Sequence, residues 1–200
     1  DDDIRKHFPE LPDLGKVVTV RHLLTHTSGY SYDLFNTSVG RYMEAQGLPS
    51  IATCRYDSLK APLVFDPGER WEYGIGIDWA GRIVEIVSGQ PLEAYLQQHL
   101  LGPLGMTDTS VFPAESQKPR IAVVYAQANG KLTPATNHIL SMPAGAKHPI
   151  PAGGLYSTAS DLAKLYQLML HRGVWNGKQI VSERSIATMT SIHTGDLTAG

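Results

Sequence analysis

The chain has 200 residues, of which 42% are hydrophobic and 18% are charged. These values lie near the average for globular domains and argue against a disordered tail or a coiled coil. Its 17 basic and 19 acidic residues leave a net charge of −2, and the basic residues are scattered along the chain. We therefore expect no nucleic-acid partner, and small molecules or proteins remain as partners.

The sequence alone does not determine the cellular compartment of the protein. Cys54 is the single cysteine, so an internal disulfide cannot form, which suits the cytosol but also allows an exported protein. No apolar run approaches the ~18 residues of a membrane span, so we expect no span. The 19 glycines and 13 prolines predict many turns between short elements.

The first third of the chain predicts short helices. Thr19 is a good N-cap for a helix over residues 20–26, which Gly29 is placed to end. A second helix is possible over residues 39–45 and a third over residues 59–63.

A turn and two helices are predicted in the middle of the chain. Residues 66–69 (Asp-Pro-Gly-Glu) have the residue types of a type II turn, which leads into an extended strand at 70–73. Apolar residues at spacing four then predict a helix that Gly89 ends: Ile75, Trp79, Ile83 and Val87. A further helix is predicted from Pro91 to a stop at Gly102-Pro103.

The last third predicts one hairpin and two more helices. The Asn129-Gly130 pair favours a type I′ turn between strands at 121–126 and 131–133. Thr158 is a predicted N-cap of an amphipathic helix, and Ser182 of a final short helix.

His22 and His26 lie four residues apart on a predicted helix, so their imidazoles could face one metal ion. A metalloprotease helix would carry Glu directly after the first histidine, whereas Leu23 stands there, and no third ligand is evident nearby. Helix-capping or packing histidines are therefore the preferred interpretation, and we expect no metal site.

Six segments, taken in order, resemble the serine β-lactamase-related family. They are residues 18–29 (VTVRHLLTHTSG), 65–73 (FDPGERWEY), 81–85 (GRIVE), 88–92 (SGQPL), 103–109 (PLGMTDT) and 153–159 (GGLYSTA). The resemblance points to class C β-lactamases, D-Ala-D-Ala carboxypeptidases and related esterases or transesterases. It implies an α+β, β-lactamase/transpeptidase-like fold, of which this chain would hold mainly the helical region with short antiparallel β segments.

The family resemblance implies three catalytic motifs, and the first is absent. No Ser or Thr of the chain has Lys three residues later, although that spacing places an activating amine beside a nucleophilic hydroxyl on a helix. In the family this motif precedes the segment at 18–29. We therefore expect residues 1–200 to be a partial domain that lacks the nucleophile segment and a C-terminal strand segment, and that is inactive alone.

The second motif aligns with Tyr73-Gly74-Ile75. The resemblance implies that Tyr73 relays a proton between nucleophile and leaving group. Ile75 stands where the lactamases have an asparagine that helps bind the substrate carbonyl, which favours an esterase over a penicillin-hydrolysing enzyme. Trp71 lies two residues before Tyr73, on the same face of the predicted strand, and is a candidate wall of the acyl pocket.

The third motif has a match in His193-Thr194-Gly195, but we interpret it as a decoy. A strand that supplies an oxyanion-binding N–H should have apolar flanks, whereas a short predicted helix precedes this triplet and polar residues follow it. We expect the true strand beyond Gly200. The Gly153-Gly154 pair lacks the other residues of a phosphate-binding loop and is interpreted as a turn.

The resemblance predicts a serine hydrolase or acyltransferase that acts on ester or amide bonds of a small molecule through an acyl-enzyme, with no metal or organic cofactor. Esterase-like chemistry is preferred. Two alternatives remain: a non-catalytic binding or interaction module of the same fold, and a β-lactamase or D-Ala-D-Ala carboxypeptidase. The sequence does not determine the oligomeric state.

Overall fold

Short helices are the main regular elements of the computed structural model, which describes residues 1–9, 11, 15–135, 143, 146 and 148–198. The α-helices are α1 (Val20–Leu24), α2 (Thr37–Ala45), α3 (Gly76–Ser88), α4 (Leu92–Leu96), α5 (Gly102–Leu104), α6 (Ala159–Leu170) and α7 (Glu183–Met189). Short 3₁₀ segments cover Ile4–Lys6, Ile51–Thr53, Tyr56–Lys60 and Lys118–Arg120. The strands are β1 (Tyr125–Ala128), β2 (Lys131–Pro134), β3 (Val174–Trp175) and β4 (Lys178–Gln179), paired as two antiparallel hairpins, β1 with β2 and β3 with β4.

Helix α1 begins where the sequence predicts and ends earlier. The Thr19 hydroxyl accepts from the N–H of His22, and the His22 ring accepts from the N–H of Thr19, which completes a capping box. The predicted end near residue 26 is wrong, because His26 has a left-handed backbone with φ of 55°. This turn redirects the chain after only five helical residues.

Helix α3 confirms the periodic pattern and forms the centre of the fold. Gly89 ends it with φ of 68°, as predicted. The helix packs against α1 so closely that a Cβ at Gly76 would lie 2.3 Å from the carbonyl oxygen of Leu23. Only glycine allows this approach, which positions the residues that precede α3.

Three other predictions need correction. The helix predicted to stop at Gly102-Pro103 continues through a π-helical turn (Gln97–Leu101) into α5, because Pro103 lies in the first turn of α5, where no N–H is required. The helix predicted at 59–63 is instead the 3₁₀ segment Tyr56–Lys60. Residues 70–73 pair with no strand of the described chain, although the N–H of Glu72 donates to the carbonyl of His26 at 2.9 Å.

The β1–β2 hairpin and the last two helices agree with the sequence. Asn129 and Gly130 have φ of 51° and 74°, as a type I′ turn requires, but β1 begins at Tyr125 rather than residue 121. The Thr158 and Ser182 side chains cap α6 and α7. These elements confirm the α+β class.

Two apolar clusters stabilise the described residues. The larger joins the N-terminal segment, α1, α2 and α3: Ile4, Phe8, Val18, Leu23, Tyr30, Tyr32, Val39, Met43, Ile51, Leu59, Ala61, Ile75 and Trp79. The smaller joins α5 to α6: Leu101, Leu104, Met106 and Leu168. None of the described helices combines the length and apolar character needed to cross a lipid bilayer.

Candidate active site

Tyr73 lies at the exposed end of an aromatic cluster. Its ring centroid is 4.7 Å from that of His26, 5.3 Å from Tyr32 and 6.2 Å from Phe35. The side chain is 42% exposed, whereas Tyr32 is 5% exposed. The ring of Tyr73 therefore packs against this cluster, while part of its side chain is exposed.

The main chain around Tyr73 is held by close packing and by His26. The N–H of Gly74 donates to His26 Nδ1 at 3.4 Å, on the residue directly after Tyr73. A Cβ at Gly74 would lie 2.2 Å from the carbonyl oxygen of Tyr30, so a larger residue could not occupy this position. Glycine is required here because two chain segments touch through their backbones.

His26 also brings the two predicted aromatic site residues together. Its ring contacts the edge of Trp71 at 5.7 Å between centroids, as well as Tyr73. Burial lowers the pKa of His26, so its ring is uncharged near neutral pH. The structure thus places Trp71 and Tyr73 on one partly exposed surface with a neutral imidazole between them, and their roles stay predictions.

Ile75 lies in a different environment from Tyr73. It precedes α3, its side chain is 1% exposed, and it belongs to the larger apolar cluster. The side chain packs beneath the site instead of facing it. Its predicted contact with substrate stays a prediction, whereas its packing role is evident.

A buried carboxyl group lies behind the aromatic cluster. Tyr32 donates from its hydroxyl to Asp78 Oδ2 at 2.7 Å, and the N–H of Ala152 donates to Asp78 Oδ1 at 3.2 Å. Burial raises the pKa of Asp78, which is 2% exposed, while these two hydrogen bonds oppose that effect. Burial, then Asp78, then the hydroxyl of Tyr73 raise the pKa of Tyr32.

Sequence reasoning missed Asp78, although the sequence carries a signal for it. The residue is three positions after Ile75 and one before Trp79, on the apolar face of a helix. A carboxylate is rarely buried on such a face without a partner. Its partner Tyr32 is 46 residues away in the chain, and only the tertiary structure reveals it.

The two histidines that could bind metal have other partners. Both rings accept main-chain N–H groups, from Thr19 in the case of His22 and from Gly74 in the case of His26. No group of three or more His, Cys, Asp or Glu side chains converges within the described part of the chain. His193 contacts the carbonyl of Thr188 and lies outside the Tyr73 cluster.

Two cavities of the chain are lined by other residues, and neither includes Tyr73. One of about 450 Å³ is bordered by Cys54, Ser110 and the predicted Gly153-Gly154 turn. Another of about 830 Å³ is lined by residues that include Phe8, Tyr30 and Trp79. Tyr73 therefore lies outside these two cavities, and its side chain is 42% exposed.

The fold is of the β-lactamase/transpeptidase-like class. Residues 1–198 match the model of the beta-lactamase family, so the chain belongs to that family. Simvastatin synthase LovD from Aspergillus terreus, a solved structure, superposes with a TM-score of 0.77 at 27% identity over 99% of this chain and 52% of that one. The predicted resemblance and fold class are confirmed.

Curated relatives include acyltransferases and esterases. Monacolin J acid methylbutanoyltransferase of Aspergillus terreus is 47% identical over 95 residues, which are 47% of this chain and 23% of that protein. Esterase EstB of Burkholderia gladioli is 35% identical over 154 residues, 72% of this chain and 37% of that protein. The chain thus matches less than half the length of these relatives.

Proposed function

We propose that the whole protein containing this chain is an esterase or acyltransferase that acts on small-molecule esters through an acyl-enzyme, with Tyr73 as its proton relay. The similarity to a methylbutanoyltransferase and to esterases supports the reaction class. The observation that carries the residue assignment is the half-exposed Tyr73 side chain, whose ring packs against a neutral imidazole and a buried tyrosine.

The proposed chemistry is an exchange of one acyl group. A hydroxyl nucleophile attacks the ester carbonyl while its proton passes to the oxygen of Tyr73. The ester C–O bond then breaks, and the proton passes from Tyr73 to the departing alkoxide. Water or an acceptor alcohol then attacks the acyl-enzyme and passes its proton to Tyr73, which returns a proton to the oxygen of the nucleophile as the acyl group is released. Tyr73 thus regains its starting protonation state.

This relay requires an amine near Tyr73, because a phenol keeps its proton at neutral pH without a neighbouring positive charge. His26 does not supply that charge, since burial disfavours its protonated form. The resemblance predicts the lysine of a Ser-x-x-Lys motif for this role.

The preference for esters over lactams rests on Ile75. Its side chain is buried and hydrophobic, so it offers no amide N–H or carbonyl to a lactam substrate. We therefore expect p-nitrophenyl esters to be turned over much faster than penicillins.

The test measures ester hydrolysis by the complete protein with and without the Tyr73 hydroxyl. Tyr73→Phe should lower kcat/KM for p-nitrophenyl butyrate by about 100-fold or more, as for loss of a general acid–base group. Tyr42→Phe is the matched control, because Tyr42 is 44% exposed and lies on α2, and it should retain full activity. Equal activity of the two variants, or hydrolysis of penicillin at a rate similar to that of esters, would refute the proposal.

A further inference from the structure

The cavity of about 830 Å³ is lined mainly by apolar and aromatic side chains. Phe8, Val18 and Leu59 on its wall are buried and belong to the larger apolar cluster. An antiparallel bridge between Tyr30 and Leu63 joins two of the chain segments that form this wall. Cavities of this size and apolar character commonly hold small molecules in proteins. The cavity is therefore large enough for a ligand of drug size.

Two buried aromatic residues of this cavity carry polar groups without hydrogen-bond partners. Trp79 is 6% exposed, and no described residue accepts a hydrogen bond from its Nε1–H. Tyr30 is 4% exposed, and its hydroxyl forms no hydrogen bond within the described part of the chain. The two ring centroids lie 6.2 Å apart. Burying a donor without an acceptor destabilises the folded state, so these neighbouring groups favour a ligand that supplies an acceptor.

Both unpartnered groups are neutral hydrogen-bond donors. Burial raises the pKa of Tyr30 to about 12, so its hydroxyl keeps its proton near neutral pH. The indole N–H of Trp79 can only donate. A carbonyl oxygen has two lone pairs and can accept from both groups. The polar chemistry of the cavity therefore matches a carbonyl compound.

The charged side chains of the lining do not favour an anionic ligand. Each cation that lines the cavity has a carboxylate partner at 2.8 or 2.9 Å: Arg5 with Asp3, Lys16 with Asp66, Lys60 with Asp57 and Arg82 with Glu85. A ligand carboxylate would have to lose its hydration and compete with these partners for the cations. The electrostatics of the cavity therefore favour a neutral ligand.

We propose that this cavity binds a neutral, apolar ketone or ester whose carbonyl oxygen accepts hydrogen bonds from the Tyr30 hydroxyl and the Trp79 Nε1–H. The apolar walls stabilise the complex by removing ligand surface from water, and the two donors select for the carbonyl group. This ligand site goes beyond the proposed acyl transfer and does not depend on the role of Tyr73.

Equilibrium dialysis of benzophenone against the complete protein tests the site. Benzophenone is a neutral diaryl ketone, and we expect it to bind with a Kd of about 50 μM or tighter. Diphenylmethane has a methylene group in place of the carbonyl and should bind about tenfold more weakly, because both hydrogen bonds are lost. The anion para-benzoylbenzoate should bind no more tightly than benzophenone. No binding of benzophenone, equal binding of diphenylmethane, or tighter binding of the benzoate would overturn the inference.

Two conservative variants locate the hydrogen bonds. Tyr30→Phe and Trp79→Phe each keep an aromatic ring and remove one donor, so each should reduce the preference for benzophenone over diphenylmethane by about threefold. Trp175→Phe is the matched control, because Trp175 packs against the smaller apolar cluster and does not line this cavity; it should change neither Kd. An unchanged preference in Tyr30→Phe or in Trp79→Phe would contradict the proposal. If Trp79→Phe does not fold, Tyr30→Phe alone decides the outcome.

Irradiation of the benzophenone complex identifies the site of binding, because the excited ketone adds to nearby C–H bonds. Mass spectrometry should find the label on residues that line the cavity, such as Phe8, Val18 or Leu59. A label found only on other residues would refute the assignment even if benzophenone binds tightly. Tyr73 does not line the cavity, so Tyr73→Phe should bind and label as wild type does. Loss of ester hydrolysis in that variant tests the proposed function separately.

Discussion

Single residues of this chain are held by hydrogen bonds that join distant segments, and Asp161 shows this outside the candidate site. Its side chain is 3% exposed and accepts from Lys164 Nζ at 2.8 Å, Thr109 Oγ1 at 2.9 Å and the N–H of Asp108 at 2.9 Å. Burial by itself would raise the pKa of Asp161, but these partners outweigh it and lower the pKa below the ordinary value. The ionised form therefore stabilises the folded state.

Asp161→Asn should lower the free energy of unfolding by about 1–3 kcal/mol near neutral pH, the cost of losing hydrogen bonds to a charged group. Because the folded-state pKa is depressed, this contribution is complete above the ordinary carboxyl range and disappears as the pH falls through the lower folded value. Urea unfolding at several pH values measures the difference between wild type and variant. Glu115→Gln, at an exposed ion pair with Lys118, should change stability by less than about 0.5 kcal/mol at every pH.

The ends of secondary-structure elements can be predicted from the sequence where they depend only on neighbouring residues. Thr158, Ser182 and Gly89 predict helix ends correctly, because capping depends on residues one turn apart. The end of α1 could not be predicted, since the turn at His26 is stabilised by contacts with residues 72 and 74, almost 50 positions later. Residues 70–73 form no strand among the described residues, and the N–H of Glu72 donates to the carbonyl of His26.

The contact between α1 and α3 predicts the effect of one methyl group. Gly76→Ala should destabilise the protein by about 3 kcal/mol, because the new Cβ would meet the Leu23 carbonyl and force the two helices apart. Thermal unfolding followed by circular dichroism measures the change. Gly153→Ala is the control, since nothing lies within 4 Å of a Cβ there, and it should leave stability nearly unchanged. Similar losses in both variants would show that the tight helix contact is not the cause.

At the scale of the whole molecule, apolar burial is uneven. The larger cluster includes Tyr32, whose ring contacts that of Tyr73, and Ile75, two residues after Tyr73, and so supports the candidate site. The β1–β2 hairpin has every residue exposed, and α7 buries only Ile186. Local stability should follow this distribution, because segments with few buried contacts open without global unfolding.

Hydrogen exchange should therefore show two levels of protection. Amides in the middle of α3 should exchange only through global or near-global opening, whereas the hydrogen-bonded amides of β1 and β2 should exchange at least about 100-fold faster through local opening. Mass spectrometry of peptides from each element measures both in one experiment. Equal protection of the hairpin and α3 would contradict an uneven distribution of stability.

The sequence by itself determined the family, the fold class, most helix caps and the identity of Tyr73 as the candidate relay, because these depend on ordered motifs and on residues a few positions apart. Only the tertiary structure decided that His26 lies between Trp71 and Tyr73 and that Asp78 bonds to Tyr32. These contacts join segments about 45 to 50 residues apart. Side-chain burial and hydrogen-bond direction depend on such long-range packing, and no local pattern of residues encodes it.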